Sequence, residues 1–172
     1  LAATATAVAG VLLPITASVA DTVGIDPTFG DSGLKTMAIL GGADEATAAL
    51  VQPDGKIIVT GPTSYPDANG QWFMIRTDAN GKNLDPSFGN QNIWGNTFFQ
   101  GDVGKSYDAA LAPDGSIFVA GNSTSSGLLM KVTSAGKTDT SFGTTGKVTV
   151  PAPGGGVLVL QKVVVANNTV TV

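Results

Sequence analysis

The feature that most constrains this chain is a long segment that occurs twice and then starts a third time. Ile25-Asp26-Pro27-Thr28-Phe29-Gly30 returns as Leu84-Asp85-Pro86-Ser87-Phe88-Gly89 and again as Thr138-Asp139-Thr140-Ser141-Phe142-Gly143. Between these marks, Gln52-Pro53-Asp54-Gly55-Lys56-Ile57-Ile58-Val59-Thr60-Gly61 matches Ala112-Pro113-Asp114-Gly115-Ser116-Ile117-Phe118-Val119-Ala120-Gly121. A third element, Met74-Ile75-Arg76-Thr77-Asp78-Ala79-Asn80-Gly81-Lys82, matches Leu129-Met130-Lys131-Val132-Thr133-Ser134-Ala135-Gly136-Lys137. Pro53 and Pro113 lie 60 residues apart, Phe29 and Phe88 lie 59 apart, and Phe88 and Phe142 lie 54 apart, the shortfall fitting a shorter loop after Gly121 than after Gly61. A repeat of this length is one supersecondary unit, which buries its apolar face only by stacking on its neighbours.

Each unit reads as four short strands. In the first unit they fall at 34–40, 46–51, 56–60 and 72–77, and in the second near 97–100, 107–112, 116–120 and 128–133. Pro53-Asp54-Gly55 and Asp78-Ala79-Asn80-Gly81 carry the residue types of tight turns. The third unit opens at 147–150, continues through the apolar run 157–166, turns at Asn167-Asn168 and ends with 169–172, one strand short of four. The expected fold is therefore all-β, built of antiparallel four-stranded units like propeller blades, with the third unit incomplete. The repeat domain spans 21–172, in units of about 25–83, 84–137 and 138–172. The Asp-Pro-Ser/Thr-Phe-Gly marks and the run Pro53 to Gly61 resemble the β-propeller-type delta-60 repeat family. That resemblance covers roughly 25–172 and implies an architecture; it brings no catalytic residues to carry over. A closed propeller needs about four to eight blades, and fewer than three are present here.

Composition narrows the function. Charged residues make up 13% of the chain, about half the usual share of roughly 25%. Glycine is abundant, and the acidic residues are all Asp except Glu45, a turn-rich bias. The net charge is −4 and no basic cluster occurs, so nucleic acid is not an expected partner. The absence of Cys and His removes thiol chemistry, serine and cysteine triads, and the usual zinc ligands. No cofactor, metal or catalytic residue is expected. Gly104-Lys105-Ser106 fails as a phosphate loop because Phe99 stands where its first Gly is needed. Asp78 with Asn80, and Asp67 with Asn69, have the oxygen ligands for Ca²⁺, but no full calcium loop is present and turn chemistry explains them. Asp26, Asp54, Asp85 and Asp114 recur with the repeat, which argues for structural use, since a catalytic pair is needed only once. Phe29, Phe88 and Phe142 recur likewise and read as core plugs between units. Trp72 and Trp94 do not recur and read as packed core residues ahead of surface ligand contacts. Asn122 and Asn167 lie in glycosylation acceptor patterns.

Residues 1–20 carry no charge. They read as a retained apolar segment, either a strand or a helix for a filament core, with the remnant of a secretory signal peptide as the alternative. The alternation around Thr4, Thr6 and Val8 favours a strand. Joined with the incomplete third unit, this segment suggests an extracellular, secreted filament or pilus subunit. Its partners would be copies of itself, with no membrane in the mature form. Thr4, Thr6, Val8, Val11, Leu13 and Ile15 of one subunit would complete the sheet ending in Val170 and Val172 of the next by donor-strand complementation. The alternative is a secreted propeller-like binding or adhesion module recognising a surface glycan or protein, as part of a larger protein.

Overall fold

A computed structural model describes residues 24–37, 43–64, 71–89, 97–99 and 104–172. Among them are ten β-strands and no α-helix. Strands β1 (Ala48–Val51), β2 (Ile57–Thr63), β3 (Gln71–Thr77) and β4 (Thr97–Phe99) form one antiparallel meander. Strands β5 (Ser106–Leu111), β6 (Ile117–Asn122), β7 (Gly127–Val132) and β8 (Lys147–Val150) form a second, in the same order. Strands β9 (Val164–Ala166) and β10 (Thr169–Thr171) form a two-stranded hairpin. The fold is all-β with four-stranded blade-like units and an incomplete third, as the repeat pattern implies.

The two full sheets superpose in register. Val51 pairs with Ile57 as Leu111 pairs with Ile117, and Val59 pairs with Ile75 as Val119 pairs with Met130. The Pro-Asp-Gly loops close both first hairpins with the same bonds, Gly55 N–H to the Gln52 carbonyl and Gly115 N–H to the Ala112 carbonyl, each 2.9 Å.

One expectation is corrected. The strands at 97–100 and 147–150 do not open the second and third sheets; each is the outermost strand of the sheet before it, pairing with β3 and β7 respectively. Sheet and repeat are thus out of phase by one strand. The cause lies in the loop carrying the Phe-Gly mark. It runs back along the edge of the third strand, with Asp139 N–H bonded to the Lys131 carbonyl and Lys131 N–H to the Gly146 carbonyl. It therefore delivers the next strand to that same edge, as short connections between sequential strands normally do. Among the described residues the third unit thus holds β9 and β10. The apolar run 157–166 is a strand only from Val164 onward. Residues 34–37 form no strand, although a bridge joins Asp31 to Leu34.

The sheets stack face to face. β5 lies against β1 and β2 on one side and β9 on the other. Ile58, Trp72, Met74 and Phe88 meet Ala109, Ile117, Val119, Leu128, Met130 and Val132 in the core between the first two sheets. Phe118, Ala120 and Leu129 meet Leu160 and Val163 in the core between the second sheet and the hairpin, with Phe142, Val165 and Val170 packed against it.

Candidate functional site: the clasp between blades and the open face

The recurring Asp-x-Ser/Thr-Phe-Gly element is a clasp. Its Asp caps a local turn through one oxygen: Asp85 Oδ1 accepts the Ser87 backbone N–H at 2.9 Å and the Ser87 hydroxyl at 2.6 Å. Asp26 with Thr28 and Asp139 with Ser141 repeat both bonds. At Asp85 and Asp139 the other oxygen takes a cation from the sheet. Asp85 Oδ2 receives Lys56 Nζ at 2.9 Å and Arg76 Nη2 at 3.0 Å, and Asp139 Oδ2 receives Lys131 Nζ at 3.0 Å. The Ser87 hydroxyl first, and then the Lys56 ammonium, hold the Asp85 carboxyl well below the usual carboxylate range. The Thr28 hydroxyl lowers Asp26 in the same way, and the Ser141 hydroxyl followed by Lys131 lowers Asp139.

The Phe-Gly half of the clasp reaches the next sheet. Gly89 N–H donates to the Ala135 carbonyl at 2.7 Å, and the Phe88 ring lies over Gly136, where an added Cβ would stand 2.8 Å from ring carbons. Gly136 has φ +75°, so both backbone and ring demand glycine there. Arg76 strengthens the joint from beneath. Its guanidinium carbon sits 4.5 Å from the centre of the Phe88 ring, and its Nη1 donates to the Ser134 carbonyl of the second sheet at 3.0 Å. Phe29-Gly30 forms the same contact one unit earlier. Gly30 N–H donates to the Asn80 carbonyl at 2.6 Å, and the Phe29 ring covers Gly81. Phe142 packs edge-on against Phe118 with centroids 5.5 Å apart.

Beside Phe29 the outer face of the first sheet is open. A groove of ≈ 450 Å³ is lined by Ala49, Ile57, Val59, Phe73, Ile75 and Thr77, with Phe29 and Met37 at its margin. By strand register these six are the counterparts of Ala109, Ile117, Val119, Leu128, Met130 and Val132, the six through which the second sheet meets the first. The groove is thus the blade-to-blade surface, already carrying its clasp, with no sheet laid on it among the described residues.

Trp72 is buried in the core between the two sheets, its ring against Gly121; Trp94 lies outside the described residues. Asp78 accepts Lys82 N–H at 2.8 Å and the Asn83 side-chain amide at 2.9 Å, and the Asn83 amide chiefly lowers its pKa. Its oxygens thus serve its own turn; Asp67 and Asn69 lie outside the described residues. Asp114 caps its loop by accepting from the Ser116 hydroxyl and N–H, which lower it likewise. No cluster of potential metal ligands occurs among the described residues. Asn122 ends β6, its side-chain amide donating to the Ser123 carbonyl. Asn167 and Asn168, at φ +50° and +59°, make a two-residue turn between β9 and β10 in place of the five-residue Pro-Asp-Gly loop. Val170 is half-buried against the second sheet, and Val172 is exposed. Thr4, Thr6, Val8, Val11, Leu13 and Ile15 lie outside the described residues. No helix among the described residues is long and apolar enough to cross a membrane.

Two contacts escaped the sequence reading. Arg76 stands in the repeat opposite Lys131, which marked the position as cationic but not as the hub of a joint. Asp108 does not recur; its Oδ2 accepts Val163 N–H at 3.0 Å and ties the hairpin to β5.

Residues 52–88 and 112–142 match the model of a family described as "Domain of unknown function (DUF5122) beta-propeller". The two segments run from the Pro-Asp-Gly loops to the Phe of each clasp, so the repeats are of a β-propeller type. Comparison with curated proteins finds no match, and comparison with solved structures finds none.

Proposed function

We propose that the chain is a structural, non-enzymatic subunit of an extracellular filament that joins copies of itself end to end. One observation supports this reading: the turn that leads into residues 34–37 repeats the turn that leads into β8. The turn from Phe29 to Leu34 repeats the turn from Phe142 to Lys147. Gly33 N–H bonds the Phe29 carbonyl at 2.7 Å, Gly146 N–H bonds the Phe142 carbonyl at 2.8 Å, and Asp31 and Thr144 N–H bond the Leu34 and Lys147 carbonyls. Residues 34–37 therefore hold the place of β8, an outermost strand, with no strand beside them among the described residues. β9 and β10 correspond to the two innermost strands of a blade, and among the described residues β10 pairs only with β9. An unpaired edge of this kind is a template for strand addition.

The strand between them is supplied by the apolar segment of a neighbouring copy. Trp72 and Met74 stand 13 and 11 residues before Asp85, and Leu13 and Ile15 stand at the same distances before Asp26. In this reading that stretch pairs with β10 of the next subunit near Val170 and Val172. The acidic side chains fit a scaffold, since Asp26, Asp78, Asp85, Asp114 and Asp139 all cap turns. Removal of residues 1–20 should abolish filaments in negative-stain images while leaving the β-sheet circular dichroism unchanged. Filaments formed by the truncated chain would sink the donor-strand reading.

The β-propeller family match favours a second reading, a secreted binding or adhesion module within a larger protein. A surface glycan or protein would then be taken by the stretch 62–70, of which 62–63 end β2 and 65–70 lie outside the described residues. A glycan array probed with the chain separates the two, because here binding survives loss of residues 1–20.

A further inference from the structure

We infer that the cavity between the Pro113-Asp114-Gly115 loop and the β9–β10 hairpin is a binding site for a small aliphatic cation, a primary alkylammonium. Such a site goes beyond the filament reading and does not depend on it. The cavity measures ≈ 480 Å³ and is bounded by Ala112, Asp114, Ser116, Phe118 and Lys131 on the second sheet and its first loop, and by Val170 on the hairpin. The same place in the joint between the first two sheets is filled. There Gln52, Lys56 and Arg76 stand at the positions of Ala112, Ser116 and Lys131. Arg76 Nη1 lies 3.3 Å from Gln52 Oε1, and Arg76 Nη2 and Lys56 Nζ meet on Asp85 Oδ2 at 3.0 and 2.9 Å. In the second unit all three side chains are shorter, and the cavity takes up the room.

The replacement also removes a charge. Asp54 and Asp85 are balanced by Lys56 and Arg76, whereas Asp114 and Asp139 have only Lys131 at the matching positions. Lys131 Nζ lies 3.0 Å from Asp139 Oδ2, and Asp114 Oδ1 accepts the Ser116 hydroxyl at 2.6 Å. The missing member is the ammonium of Lys56, which lies 2.9 Å from Asp85 and 3.9 Å from Asp54. An alkylammonium in the cavity takes that place, between Asp139 and Asp114. Lys131 does not forbid it, because Asp85 already carries two cations on one oxygen. Phe118 and Val170 offer an apolar wall to the aliphatic stem, as the methylenes of a lysine cover apolar surface. A neutral ligand of the same shape gains nothing from the excess carboxylate.

Titration of the isotope-labelled full chain with n-butylammonium chloride at constant ionic strength tests the site, with n-butanol as the neutral control. The amide resonances of Asp114, Ser116 and Val170 should shift saturably with the ammonium, and n-butanol should bind about tenfold more weakly or less. Ser116→Lys restores the internal cation. The first unit shows that the loop closes with Lys at this position, Lys56 N–H reaching Asp54 Oδ1 at 3.1 Å. This variant should keep its circular dichroism and lose about tenfold or more in affinity for the ammonium. Asp114→Asn leaves the cavity open and removes the charge, so it should weaken the ammonium severalfold and leave the response to n-butanol unchanged. Butanol that binds as well as butylammonium, a Ser116→Lys chain that binds the ammonium like the unmodified one, or an Asp114→Asn chain without loss would each overturn the inference.

Discussion

Phe88 and Phe29 occupy the same place in the same element, yet one is sealed and the other is not. Phe88 is 1% exposed, gripped by Arg76 from below and by two sheets from the sides. Phe29 keeps the backbone bond to Asn80 and the contact with Gly81, but stands half-buried at the edge of an open groove. Local sequence thus sets the clasp, and the stacked sheet supplies most of its burial. The contrast sets the same hydrogen bond and ring contact side by side, with and without a covering sheet among the described residues.

Truncating the two rings gives the largest expected difference. Phe88→Ala empties a fully packed site and should lower stability by about 3–5 kcal/mol. Phe29→Ala removes a ring that water already reaches and should cost about 1 kcal/mol or less by the area it covers. Urea unfolding of both variants under conditions that keep the chain monomeric checks this. Equal losses would mean that the covering sheet contributes little and that the clasp is a local device.

The receiving glycines come next. At Gly136 a methyl group meets both the Gly89 nitrogen and the Phe88 ring at 2.8 Å, and φ is positive. Gly136→Ala should therefore cost about 1–3 kcal/mol, since ring and backbone are fixed by the second sheet. Gly81→Ala shares the positive φ, but the atoms nearest its methyl group belong to the Phe29 ring, at 2.4 Å, and that ring has open space to move into. Its cost should be smaller by half or more in the same unfolding series.

The carboxylates carry the contrast into pH. Asp85 is held down by Ser87, Lys56 and Arg76, whereas among the described residues Thr28 alone lowers Asp26. A carboxyl depressed in the folded state contributes stability that is complete above its unfolded value, about 4. That stability is lost as pH falls toward the folded value. Asp85→Asn should therefore cost about 1–2 kcal/mol at neutral pH, given the partly solvated ion pairs. The gap to the unmodified chain should close as pH drops below 4. Asp26→Asn should show the same sign with a smaller gap. Melting temperatures from pH 7 down to pH 2 read out both.

Most of this architecture was legible because the repeat prints its own punctuation. Pro53-Asp54-Gly55 and Pro113-Asp114-Gly115 located two hairpins within a residue or two, since the turn chemistry is local. Phase was not legible. Whether Lys147–Val150 begins one sheet or ends another depends on how the loop 133–146 folds back on β7, through backbone bonds that any side chain can make. The site was legible only in part. Recurrence singled out Phe88, Asp85 and Asp114, but the partner of Phe88 is a glycine 48 residues away, and glycine carries no side-chain signature. Asp108 was silent because its partner is a backbone N–H in an irregular stretch before β9.

The smallest effect concerns the hairpin, which among the described residues packs on the second sheet alone. Its turn uses Asn167 and Asn168 at positive φ, where the full sheets use five residues around a Pro-Asp-Gly core. Asn tolerates this conformation at some cost, and glycine at the second position of such a turn tolerates it with none. Asn168→Gly should therefore stabilise the hairpin by a few tenths of a kcal/mol, without touching either clasp. Where that gain is seen tells how the third unit is coupled. If Val163, Val165 and Val170 bind the hairpin firmly to Phe118, Ala120 and Leu129, the gain appears in global unfolding. If the hairpin opens on its own, it appears only as slower amide exchange between Val164 and Thr171, with the global midpoint unmoved. The second outcome would mark the hairpin as a unit that opens apart from the two full sheets, held to them less firmly than they are to each other.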